Sequence, residues 1–98
     1  MNSDYKIIFT IVKKGMGSMI VSESKKLGAS ASTIMLGKGT APKSIYTELL
    51  GMSYEPEKEI IMTLVKEDLV EKIMQRITDL AKLNQRGNGI SFVINLKK

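Results

Sequence analysis

Two glycine turns hold the residues best suited to chemistry. Gly37-Lys38-Gly39 lies in the first half of the chain and Arg86-Gly87-Asn88-Gly89 near its end. Glycines let backbone N–H groups approach an anion closely, and an adjacent lysine or arginine adds positive charge. Such turns would cradle a phosphate or carboxylate without making or breaking bonds. Neither is a G-x-x-x-x-G-K-[ST] phosphate loop, which does not occur in this sequence. Each turn also has a plain structural reading, because Asn-Gly is a common turn dipeptide.

Other candidates are weaker. Glu55, Glu57 and Glu59 alternate with Pro56 and Lys58, and read as solvated loop acids without a positioned proton-transfer partner. Glu67-Asp68 is accounted for as acid at the start of a helix. Tyr46 falls at helical spacing with Leu49 and Leu50 and reads as packing, while Tyr54 is a loop tyrosine. Seven methionines suit an adaptable core or interface better than a cofactor site. The chain has no cysteine and no histidine, which excludes thiolate chemistry, Cys/His zinc sites and imidazole triads. No catalytic residue, metal site or covalent cofactor is therefore assigned. Absence of disulfides fits a cytoplasmic location.

The elements that must position the two turns follow from hydrophobic period. Tyr5–Val12 reads as a strand, apolar on both faces (Ile7, Phe9 and Ile11 against Ile8 and Val12). Ser18–Leu27 reads as a helix with Met16, Met19, Ile20 and Leu27 on its stripe, Lys25-Lys26 in its last turn and Gly28 as its stop. Ala31–Gly37 is a second strand. Thr40 and Pro42 suit a helix start, so Pro42–Leu50 is expected to form a short helix ended by Gly51. Glu55–Lys58 reads as a loop and Glu59–Val65 as a third strand. Leu69, Val70, Ile73, Met74, Ile77, Leu80 and Ala81 make the longest helical stripe. Asn84–Gly89 turns back into a last strand, Ile90–Leu96.

Strand-helix-strand twice over predicts one α+β domain, residues 1–98, with the ferredoxin-like β-α-β-β-α-β arrangement and an antiparallel sheet. At 98 residues the chain is one domain's worth, and its 43% apolar and 26% charged residues are ordinary for a globular protein. The N-terminal apolar run lacks the flanks of a signal peptide, and no stretch approaches a membrane span. Helices in this layout cover one sheet face, so strands apolar on both faces call for a second cover, most economically another copy of the chain. The net charge of +5 is scattered, with Lys13-Lys14, Lys25-Lys26 and Lys97-Lys98 as its densest groups. It admits an anionic partner but is also what a solvated surface carries. Nucleic acid is not expected. The third strand, EIIMTLV, lacks base-stacking aromatics, and the K/R-G-F/Y-G/A-F-V signature is absent.

The segment VKEDLVEKIMQRI, followed by RGNGISFVINL, resembles the PII nitrogen-regulatory signal proteins. Val65, Asp68, Leu69, Val70, Gly87, Gly89, Phe92 and Val93 carry the likeness. KIIFTIV, the Gly-Lys-Gly after strand two and Lys58 before strand three fall in the corresponding places, so the resemblance spans roughly Lys6 to Leu96. It implies a non-enzymatic homotrimer that binds ATP or ADP at subunit clefts and controls a partner protein. It implies ligand contacts at Gly37, Lys58, Gly87 and Gly89. Lys38, Gly39, Arg86 and Asn88 join them as residues of the same turns, Lys38 and Arg86 for their charge. Three departures mark a divergent member. Ile90 stands where the family has a lysine, the long flexible loop becomes the short Pro42–Leu50 segment, and the C-terminal arginine segment has no counterpart before Lys98. The alternative reading is a PII-like trimer that has lost nucleotide binding and senses another metabolite or only a protein.

Overall fold

The computed structural model describes residues 4–38, 57–85 and 88–96. The helix expected over Pro42–Leu50 lies outside them, as do Gly39, Arg86 and Gly87. The described chain runs β1 (Tyr5–Lys13), α1 (Gly17–Lys26), β2 (Ala31–Lys38), β3 (Glu57–Lys66), a 3-10 turn (Glu67–Leu69), α2 (Val70–Ala81) and β4 (Gly89–Asn95). The strands form one sheet in the order β2-β3-β1-β4, every neighbouring pair antiparallel. This is the ferredoxin-like fold expected from the order of elements.

Both helices pack on one face. Ile8 and Val12 of β1, Ile61 and Val65 of β3, Ile20 of α1, and Ile73, Ile77 and Ala81 of α2 form the buried core. The α2 stripe packs as its period requires. The α1 stripe holds at Ile20, which is buried, and at Met16 and Leu27, which pack against the core. It does not hold at Met19, which is 42% exposed, while Gly17 and Ser24 face inward beside it. The reason is close approach. A Cβ on Gly17 would stand 2.7 Å from Glu59 Oε1 and 3.3 Å from two carbons of Ile34. Small residues at 17 and 24 let α1 lie low on β2 and β3, and Met19 is turned outward. The helices are joined at their surface by Arg76 Nη2 donating to Glu23 Oε1 at 2.7 Å.

The second sheet face carries Ile7, Phe9 and Ile11, their β4 partners Ile94, Phe92 and Ile90, and Ile60, Met62 and Leu64 of β3. Phe9 and Phe92 stack with ring centroids 5.2 Å apart. No described helix covers this face, and Phe92 and Ile94 are 41% and 42% exposed.

Of the strand ends that differ from the sequence reading, two matter for the site. β2 continues to Lys38 and β3 begins at Glu57, because Gly37 pairs with Lys58 and Lys38 with Glu57. Lys38, Glu57 and Lys58 are thus strand residues in register, where a turn and a loop were expected, and Gly37 lies in its strand as expected.

Candidate functional site

One end of the sheet gathers most of the candidates. Across that end Gly37 of β2 faces Lys58 of β3, Lys58 faces Lys13 of β1, and the neighbouring Val12 faces Gly89 of β4. Strand pairing therefore brings four segments of distant sequence into one row. Three strand spacings separate its extremes, so Gly37 and Asn88 stand roughly 14 Å apart.

Gly37, Lys38 and Lys58 line one cleft of about 250 Å³, together with Lys14, Leu36 and Glu57. Lys58 is buried at 4% exposure, unusual for a lysine, and Leu36 is 73% exposed. Lys14 Nζ lies 3.1 Å from Glu57 Oε2. Lysines outnumber the one glutamate among its described lining residues, which suits the cleft to an anion. In the sequence, Glu57 reads as a solvated loop acid and Lys14 as part of the scattered charge. Lys14 sits in a loop more than twenty residues from Gly37, and only the β1–β3 pairing brings it to Glu57.

Asn88 and Gly89 lie at the same sheet end but border a different cleft. Asn88 lines a space of about 240 Å³ with Lys13, Met16, Leu80, Ala81 and Lys82. Its side-chain amide donates to the Lys82 carbonyl oxygen at 3.0 Å and to Gln85 Oε1 at 3.4 Å. These bonds tie the turn to the end of α2, where Lys82 adopts a left-handed conformation (φ 53°). The candidates thus fall into two groups around the inner strands, with Gly37, Lys38 and Lys58 on one side and Asn88 and Gly89 on the other.

The walls of the site are fixed from within. The first N–H of α1, on Gly17, donates to Glu59 Oε1 at 2.6 Å. No side chain of the helix's own entry caps it, so β3 supplies the acceptor. A further cleft, about 340 Å³, lies at the opposite sheet end between Asp4, Lys66, Glu67 and Asp68. Three acids and one lysine give it the wrong sign for an anion. Among the described residues no group of three or more acidic side chains is placed to hold a metal ion. No described helix is long and apolar enough to cross a membrane.

Comparison with known proteins places this architecture. The chain superposes on Arabidopsis thaliana PII bound to citrate with a TM-score of 0.71 and 21% identity, over 98% of this chain and 80% of that one. A putative PII-like signaling protein from Thermus thermophilus gives 0.67 and 22%, over 94% and 85%. A B. subtilis GlnK-ATP complex gives 0.67 and 18%, over 98% and 84%. No curated protein sequence matches the chain. The family model described as nitrogen regulatory protein P-II matches residues 5–98. With that match running over nearly its whole length, on the strand order and helix placement described above, the chain belongs to the P-II family of nitrogen regulatory signalling proteins.

Proposed function

We propose that the protein is a non-enzymatic regulator that binds an anionic effector, ATP or ADP, in the cleft at the Gly37–Lys58 end of its sheet, and thereby controls a partner protein. The observation that carries this reading is the convergence of Gly37, Lys38, Lys58 and Lys14 on one cleft. Lysine ammoniums beside a glycine backbone attract phosphate by charge without bond-making groups. Two structural relatives were solved with anions, one with ATP and one with citrate. Gly39, Arg86, Gly87, Asn88 and Gly89 belong to the same proposal as the remaining ligand contacts.

The assembly proposed is a homotrimer, in a cytoplasmic setting. Its support is the apolar sheet face bearing Phe9, Phe92, Ile94 and Met62, which the described helices leave uncovered. Copies meeting through that face would bury it and bring neighbouring surfaces to each cleft. Effector binding then regulates only if the two states of the protein differ in effector affinity.

Isothermal titration with ATP, ADP and AMP tests the reading. Saturable binding of ATP or ADP is expected, from a species whose sedimentation mass is three chains. Absence of heat at millimolar nucleotide sinks the nucleotide assignment, and a one-chain mass sinks the trimer. A second reading keeps the trimer but replaces the nucleotide by another metabolite. Ile90, directly after the turn, and the citrate bound to the Arabidopsis relative favour it. Heat on titrating citrate but none with nucleotides would select it.

A further inference from the structure

Glu57 and Glu59 stand two residues apart on β3 and reach the same loop, between β1 and α1. Glu59 accepts the Gly17 N–H, and Glu57 accepts a hydrogen bond from Lys14 Nζ. The loop is thereby fixed to the rim of the cleft at both of its ends. The two contacts differ in kind. The first is part-buried and completes a helix terminus. The second is an ion pair whose partners are 57% and 63% exposed, and so exposed a pair is weak and easily exchanged. Among the described residues, Glu57 is also the only acid lining a cleft that otherwise carries three lysines.

We propose that Glu57 is an internal counter-anion of this cleft and a determinant of its affinity. In the ligand-free protein it occupies Lys14. An entering polyanion displaces it, takes Lys14 as an added cation and leaves the glutamate to solvent. A ligand with a single negative charge gains too little from Lys14 to drive the exchange. Glu57 therefore tunes the site toward ligands with several negative charges, such as a nucleoside triphosphate. The inference rests on the reading of this cleft as an anion site, and gives that site a built-in competitor.

The test is titration with ATP of the full chain and three variants, Glu57→Gln, Lys14→Gln and Glu71→Gln, at low and moderate salt. Glu71→Gln makes the same change of net charge on the exposed surface of α2. Glu57→Gln is expected to bind ATP about three- to tenfold more tightly at low salt, and Lys14→Gln more weakly by a similar factor. The gain should shrink as salt rises, because exposed charges are screened. Glu71→Gln should stay within about twofold of the unaltered chain. If the unaltered chain binds but Glu57→Gln binds no more tightly, or Glu71→Gln gains as much, the counter-anion role is wrong and the anion site stands. If none of the four proteins binds ATP, the nucleotide reading and the inference fall together.

Discussion

At Gly89, backbone and packing both demand glycine before any ligand is considered. Its φ is +141°, and a Cβ there would collide with the Ile11 carbonyl oxygen and stand 3.1 Å from Val12 Cγ1. Gly89→Ala should therefore destabilise the fold by about 1–3 kcal/mol, seen as a lower denaturation midpoint. An unchanged midpoint would show that β4 can shift away from β1 at no cost. Gly37 differs. A Cβ there meets only Ile60, closest at Cδ1, 2.8 Å away, the far end of a flexible side chain. Loss of ligand binding on changing Gly37 would report the cleft, whereas loss on changing Gly89 would report the fold first. The ligand role assigned to each glycine thus has unequal competition from structure.

Between elements, the clearest polar link is Glu23 of α1, held by Arg76 of α2 at 2.7 Å and by Lys26 at 2.9 Å. Hydrogen bonds from Arg76 first and Lys26 second pull the Glu23 carboxyl below its ordinary range. A carboxylate depressed in the folded state adds stability that is fully present above its unfolded value of about 4.3 and is lost as pH falls through the lower folded value. Arg76→Ala should thus lower the melting temperature slightly at neutral pH, with the deficit vanishing in strong acid. A deficit that persists unchanged in acid would assign Arg76's contribution to packing of its stem. Element order, helix period and the core residues of α2 were legible in the sequence, because they depend on local periodicity. On α1 Met16, Ile20 and Leu27 were legible too. The outward turn of Met19 and the burial of Gly17 and Ser24 were not, because they are set by how closely Gly17 can approach Ile34 and Glu59. Nor were the ends of β2 and β3. Lys38 and Glu57 look like loop residues until pairing across the sheet makes them strand. Lys14 and Glu57 read as solvated charge for the same reason, since no local pattern shows which loop a strand end will meet.

Across the whole molecule, charge that looks scattered along the chain is sorted by the fold. Lys13, Lys14, Lys38 and Lys58 meet at one sheet end, while Asp4, Glu67 and Asp68 meet at the other. The described helices close one sheet face and leave the apolar opposite face uncovered. A regulator of this design would receive its effector at the basic end and assemble through the open face. Amide chemical-shift mapping during an ATP titration tests the first of these most directly, because it reports which end the ligand visits. The account predicts saturable shifts at Lys14, Gly37, Lys38 and Lys58, with smaller ones at Asn88 and Gly89. Shifts confined to Asp4 and Lys66–Asp68, or none at millimolar ATP, would contradict it.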